Sequence, residues 1–180
     1  MKPIIEHITA EKEVDFTEEI GTWFNGEMNV PVKTYRFQYP TILGSIEVIG
    51  EYRRNTWQKA NWYKSINFTD IYIWTINLNA NRTLPSIEIE ANSWIKQKFF
   101  NRPRLNVNCN IQELKKDLEN SAILAELLLS GHENVSATIR SDDRRLWTTF
   151  NTLIDHESLI RKSLETFEEI EEKIKKRQPT

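Results

Sequence analysis

The sequence predicts an α+β protein, in which a mostly antiparallel β-meander is followed by a helix, a β-hairpin and a long C-terminal helix. Two changes in apolar periodicity indicate this order. From about residue 30 apolar side chains recur at every second position, and from about residue 110 they recur about every 3.6 positions. Strands that are segregated along the chain from the helices are typical of α+β proteins rather than of doubly wound parallel sheets. The length of 180 residues suits one domain, 1–180.

Composition divides this domain into three segments. Residues 1–29 show no clear periodicity and are assigned no element, residues 30–109 are β-rich, basic and aromatic, and residues 110–180 form an acidic helix–hairpin–helix segment. The net charge is −5 up to residue 30, +6 from there to residue 109 and −3 over the remainder. The basic segment also holds 13 of the 19 aromatic residues, so a surface that combines cations with aromatic rings is expected there.

Five strands are predicted in the basic segment, because apolar and polar residues alternate over five short runs. Prolines lie between the runs, where a missing N–H removes no ladder hydrogen bond. The longest run is apolar on both faces at its centre, so we expect it to be covered on both sides. The predicted strands are 32–39, 45–53, 66–78, 86–90 and 104–109.

The clearest helix is predicted over residues 111–130, where a stripe of leucines and alanines recurs at helical spacing. Leu118 lies in the middle of the stripe and is expected to be buried. Asn110 and Glu113 have the spacing of a capping box at the N-terminus. Gly131 follows the last leucines and can supply the left-handed residue that ends a helix.

A β-hairpin with its turn at residues 141–144 leads to a second helix, predicted over residues 155–176 with Asp155 as its N-cap. This helix is about 33 Å long at about 1.5 Å per residue, whereas strands of about 5–8 residues span about 17–27 Å. We therefore expect its last turns to extend beyond the sheet and to expose an interface for a protein partner or a second copy of the chain. The interface residues are Phe167, Ile170 and Ile174.

Several classes of function are not supported by the sequence. The five glycines form no Gly-rich loop of the kinds that bind nucleotide phosphates. Three scattered histidines and the single Cys109 form no metal-binding motif and no disulfide, so we predict neither a metal nor a cofactor. No signal peptide and no membrane-spanning apolar run is recognisable, so a cytoplasmic protein without membrane contact is expected.

The principal predicted binding site is the segment 53–64, which joins two predicted strands. Trp, Tyr and Arg dominate the hot spots of protein interfaces, so the favoured function is binding of a protein partner without catalysis. Bases also stack on aromatic rings beside phosphate-binding cations, so single-stranded nucleic-acid binding by this loop and the sheet face is the alternative. The predicted contact residues are Arg53, Arg54, Trp57, Lys59, Trp62 and Tyr63.

A carboxylate-based hydrolase is the third candidate function. Two pairs of glutamates each project from one face of a predicted strand, and neighbouring strands would bring the pairs together, which raises carboxyl pKa values. Ordinary cross-strand ion pairs are the alternative. Asp70 interrupts an apolar face and is either a buried functional carboxylate or the cap of a loop before a strand that begins at residue 71. The glutamates are Glu47, Glu51, Glu88 and Glu90.

Overall fold

An eight-stranded antiparallel sheet carries four helices on one of its faces in the part of the protein that the computed structural model describes, which confirms the predicted α+β class. The structure describes residues 1–24, 29–55, 69–91, 105–129, 138–152 and 157–177. The helices are α1 (Lys2–Lys12), α2 (Gln112–Glu119), α3 (Ala122–Leu129) and α4 (Glu157–Arg177). The strands are β1 (Phe16–Phe24), β2 (Asn29–Pro40), β3 (Gly44–Asn55), β4 (Thr69–Ala80), β5 (Ile87–Ala91), β6 (Leu105–Cys109), β7 (Ile139–Ser141) and β8 (Arg145–Thr152).

The strand order across the sheet is β1-β2-β3-β4-β8-β7-β5-β6. The first four strands form the predicted meander, but the β7–β8 hairpin lies between β4 and β5. Six strands precede α2 where five were predicted, because the segment 1–29, to which the sequence assigned no element, forms both α1 and β1. The hairpin turn is confirmed: Asp142 Oδ1 accepts hydrogen bonds from the backbone N–H groups of Arg144 and Arg145.

The core lies between the sheet and the helices. On β4 the side chains of Trp74, Ile76 and Leu78 are fully buried on the helix side, as the alternation predicted. On the other face Ile73 is half-buried, so the centre of β4 is covered only in part on that side. The Trp74 ring lies over Gly50 on the neighbouring strand, where a Cβ atom would come within 2.8 Å of the ring. Glycine at position 50 therefore makes room for the largest core side chain.

The predicted helix 111–130 is two helices, α2 and α3, separated at Asn120 and Ser121, whose side chains bond the backbone at the end of the first and the start of the second. Asn120 Nδ2 donates to the carbonyl oxygen of Lys116 at 2.9 Å. Ser121 Oγ accepts the N–H of Leu124 at 3.1 Å and so caps the N-terminus of α3. The chain can therefore change direction between α2 and α3.

The predicted capping box at the start of this segment is wrong. Ile111 is the N-cap of α2, and no side chain caps it. The Glu113 carboxylate instead accepts a hydrogen bond from Arg177 on α4 at 2.8 Å. The ion pair with Arg177 thus uses the Glu113 carboxylate that the capping box would have used. Asn110 lies just outside α2. The predicted C-terminal residue Gly131 lies outside the described residues.

The expectation that α4 exposes an apolar interface is wrong. Phe167, Ile170 and Ile174 are fully buried in the chain's own core. The strands β2, β3 and β4 have twelve residues each, so at about 3.4 Å per residue they are about 40 Å long and extend past the 21-residue helix. The other helices pack against the same core. The predicted N-cap Asp155 lies outside the described residues.

Replacement of Leu118 by alanine tests the core under α2, because this side chain is fully buried, as predicted. We expect Leu118→Ala to lower the free energy of unfolding by about 2–5 kcal/mol, through lost transfer free energy and the cavity left behind. Denaturant unfolding measures the loss, with Lys116→Ala on the exposed side of the same helix as the control. A loss below about 1 kcal/mol would contradict the packing of α2.

Candidate functional site

The described part of the predicted binding loop ends within β3. Arg53 is half-buried, binds the carboxylate of Glu51 at 2.6 Å and lies over the Trp23 ring at 4.9 Å from its centroid. The backbone of Arg54 pairs with that of Asp70 on β4. Arg53 therefore already interacts with Glu51 and Trp23 of its own chain. A binding role for the rest of the loop stays a prediction. The residues outside the described ranges are Trp57, Lys59, Trp62 and Tyr63.

The face of the sheet opposite the helices carries arginines that are neutralised by the chain's own carboxylates. Each of four guanidinium groups lies within 3.5 Å of an acidic oxygen. Arg145 also stacks over the Trp147 ring at 4.5 Å, as Arg53 does over Trp23. These cations and rings therefore interact with one another rather than presenting a basic aromatic platform. The ion pairs are Arg36–Glu47, Arg53–Glu51, Arg140–Glu88 and Arg145–Asp142.

The expected cluster of four glutamates does not form. Glu47 and Glu51 lie on β3, Glu88 and Glu90 lie on β5, and three strands separate β3 from β5. At about 4.8 Å per strand, the two pairs are about 19 Å apart. Glu47 accepts a hydrogen bond from the amide of Asn77 at 3.0 Å in addition to its ion pair. The cross-strand alternative accounts for Glu47 and Glu88, which pair with Arg36 and Arg140 on neighbouring strands, whereas Glu51 pairs with Arg53 on its own strand.

Asp70 lies within β4, which begins at Thr69 rather than at residue 71. Its side chain is half-exposed and projects from the same face as Tyr72, whose ring centroid lies 5.3 Å from that of Tyr52. Burial, together with the charge of Asp70, raises the pKa of Tyr72. Asp70 therefore borders a pair of tyrosines at the end of the core face, and a functional role for it stays a prediction.

An acidic cavity of about 430 Å³ opens where α1, the turn between β2 and β3, and α4 meet. Lys12 binds the Glu168 carboxylate at 2.7 Å and lies 4.6 Å over the Tyr39 ring. The Tyr39 hydroxyl donates to Glu168 at 3.0 Å, and burial followed by the charge of Glu168 raises the pKa of Tyr39. The chain's own lysine thus occupies the position that a cationic ligand would take. The acidic lining residues are Glu11, Glu13, Glu168, Glu171 and Glu172.

The most buried of these carboxylates has a structural role. Glu171 is only 2% exposed and accepts hydrogen bonds from the Thr41 hydroxyl at 2.6 Å and from the backbone N–H of Leu43. A buried carboxylate is stable only when such donors replace water. Glu171 therefore holds the turn between β2 and β3 against α4 through hydrogen bonds. The cavity lies at this contact between the turn and the helix.

The edge strand β1 carries most of the large exposed apolar side chains in the described residues. Ile20 is 73% exposed and Phe24 is 60% exposed on the helix side, and Trp23 is partly exposed on the opposite face. All nine residues of β1 pair with β2 without interruption, and no described strand pairs with the outer edge of β1. A long, regular and apolar sheet edge is a template for a further strand.

β1 was not predicted from the sequence. Threonines and aromatic residues favour strands, and Phe16, Ile20 and Phe24 share one parity, which was the available signal. Glu18 falls between them on the same face, so the apolar alternation is broken. A strand that is exposed on both faces does not need that alternation, so the periodicity did not predict it.

The other edge of the sheet contrasts with β1. The strand β6 has only five residues, of which Leu105 and Val107 are buried and Asn106 and Asn108 are exposed. Short edge strands with polar outer residues resist further pairing. The two edges of the sheet therefore differ in their capacity to bind another strand.

No family model matches this sequence, and no curated protein and no solved structure shows significant similarity to it. In the ranges that the structure describes, no group of three or more His, Cys, Asp or Glu side chains is placed to hold a metal ion. None of the described helices is both long and apolar enough to cross a membrane. The proposed function therefore rests on the geometry of the described residues.

Replacement of Glu171 tests the buried junction. Glu171→Ala leaves the buried N–H of Leu43 and the hydroxyl of Thr41 without this acceptor, and an unsatisfied buried group costs about 1–3 kcal/mol. We expect the free energy of unfolding to fall by about 2–4 kcal/mol in denaturant titrations. The neighbouring Glu172→Ala, on an exposed side chain, is the control. Equal effects of the two variants would contradict the structural role of Glu171.

Acid should weaken the attachment of α1 to α4. Hydrogen bonds from Arg161 hold the pKa of Glu11 and of Glu157 below the ordinary value of 4.5, and the His7 imidazole lies between the two carboxylates. The folded state therefore binds fewer protons than the unfolded state near these pKa values, and stability falls as the pH drops below 4.5. We expect Arg161→Gln to be less stable than the wild type at neutral pH, with a difference that shrinks in acid. Unfolding titrations at several pH values measure this, and a difference independent of pH would be inconsistent with the network.

Proposed function

We propose that this protein acts by binding another protein, and that the outer edge of β1 makes the contact. The observation that carries this proposal is the uninterrupted nine-residue edge, which has exposed apolar side chains on both of its faces. Extended peptides commonly bind by adding a strand to such an edge, with main-chain hydrogen bonds for affinity and side-chain contacts for specificity.

The composition of β1 supports this proposal further. Folded proteins protect long edges with charged side chains, above all lysine, or with proline or a bulge. β1 contains neither lysine nor proline, its pairing with β2 has no bulge, and of its two charged residues, Glu18 and Glu19, the first is paired with Lys2 and Lys33. Ile20 and Phe24 can contact a partner on one side of the added strand and Trp23 on the other. A partner that covered this edge would remove three of the four large exposed apolar side chains of the described residues from water.

The other two candidate functions have no comparable support. Nucleic-acid binding needs cations that are available to phosphates, whereas the described arginines of the open sheet face pair with carboxylates. The hydrolase hypothesis rested on four clustered glutamates, whereas the pairs on β3 and β5 lie about 19 Å apart and three of the four carboxylates pair with arginines. Binding of a protein is therefore the function that the described residues support best.

We also propose that this binding takes place in the cytoplasm. The chain contains one cysteine, Cys109, which is a free, half-buried thiol. Chains that work in oxidising compartments more often carry cysteines in disulfide-bonded pairs. The partner would accordingly be another cytoplasmic protein.

Matched lysine substitutions test the proposed function. Ile20→Lys places a charge in the β1 edge, and Ile42→Lys makes the same change at an exposed isoleucine in the turn between β2 and β3. We expect Ile20→Lys to reduce capture of the protein's partners from extracts of its native cells about tenfold or more, which corresponds to about 1.4 kcal/mol, and Ile42→Lys to leave capture unchanged.

Quantitative mass spectrometry measures this capture, and hydrogen exchange on the purified complex locates the contact. Protection of the backbone amides of β1 on binding is the expected result. Capture that is equal for the wild type and Ile20→Lys, or protection confined to other elements, would refute the proposed function. Far-UV circular dichroism of both variants verifies that they are folded.

A further inference from the structure

The residues of β1 are arranged so that the strand can pair with itself. A two-fold axis perpendicular to the sheet at Ile20 would place a second β1 antiparallel to the first and keep the helices of both copies on the same side. Ile20 would then face Ile20 of the second copy. Phe16 would face Phe24, and Thr17 would face Trp23. Aromatic pairs and pairs of β-branched residues are the cross-strand contacts that stabilise sheets.

Charge selects this register over its neighbours. In the register centred on Ile20, Glu18 lies opposite Thr22 and Glu19 lies opposite Gly21, so no glutamate faces another. Moving the centre to Glu19 would place two glutamates directly opposite each other, which is destabilising. Moving it to Gly21 would place Glu18 opposite Phe24 and remove the isoleucine pair. Within the chain, Glu18 is also neutralised by Lys2 and Lys33, which lie within 3.7 Å.

We propose that a second copy of this chain occupies the β1 edge and forms a two-fold dimer in which one sheet is continuous across both copies. This inference rests on the proposed function, because it names the protein that binds the edge. The exposed Ile20 and Phe24 of each copy would be covered by the other. The least protected edge of the sheet would thereby become internal.

The size of the edge sets the strength of the association. A nine-residue strand is about 31 Å long, and a sheet with its side chains is about 10 Å thick. Each copy would therefore bury about 300 Å² along the strand, compared with about 800 Å² per partner in a standard stable interface. The dimer should accordingly be reversible and should form only as the protein concentration rises.

Cysteine cross-linking tests both the dimer and its register. All variants carry Cys109→Ser, so that the introduced thiol is the only one. Directly opposed residues in an antiparallel pair have Cα atoms about 4.5–5.5 Å apart, within the range of a disulfide. Under mild oxidation we expect Ile20→Cys to form a disulfide-linked dimer. Glu18→Cys and Thr22→Cys should each remain monomeric alone, because each position is offset by four residues from its copy.

A mixture of the Glu18→Cys and Thr22→Cys proteins should form a heterodimer, because these positions face each other in the proposed register. Sedimentation of the wild type should show reversible dimerisation that Ile20→Lys weakens about tenfold or more and Ile42→Lys does not. A wild type that stays monomeric at high concentration, or a mixture that cross-links no more than its components, would overturn the inference. If Ile20→Lys then still abolished capture of a different protein, the proposed function would stand with that protein as the partner.

Discussion

All described helices pack on one face of the sheet, and this one-sided burial constrains the rest of the molecule. The first and last of eight strands are separated by about 34 Å, whereas each helix covers a strip about 10 Å wide. Helix α1 contacts β1 and β2, and α4 contacts β4. Helix α3 contacts β5, and α2 contacts β6. The cover is continuous over the middle strands, where Trp74 and Phe167 are fully buried. Apolar side chains beyond its edge have no cover within the described chain.

This limit explains the unusual exposure along β1. Phe16, at the start of the strand, is half-buried and packs against Tyr35 with ring centroids 6.3 Å apart. Ile20 and Phe24 continue the same face beyond the reach of α1 and project into solvent. None of the described helices packs on the opposite side of the sheet, where Val30 and Val32 are nevertheless buried and arginines pair with carboxylates. Exposed pairs of this kind contribute little stability, but they neutralise the cations that a nucleic acid would need.

The local part of the fold was predictable from the sequence. The strands β2 to β6, the hairpin turn and the helical segments follow from apolar periodicity, since a buried strand or helix face must repeat with the geometry of the backbone. The burial of Leu118 and of the apolar face of β4 was correctly predicted for this reason. The break at Asn120 and Ser121 was not, because whether a helix ends at such side chains depends on the tertiary packing around them.

The sequence by itself determined the α+β class, the positions of most elements and the faces that they bury, because these depend on neighbours within a few residues. The tertiary structure alone decided that the β7–β8 hairpin separates Glu47 from Glu88, that Ile170 and Ile174 are covered, and that Ile20 is not. Strand order depends on the free energy of long-range pairing, and burial depends on which element lies above a residue. Neither quantity can be read from the spacing of residues along the chain. The candidate site at β1 could therefore be recognised only from the tertiary structure.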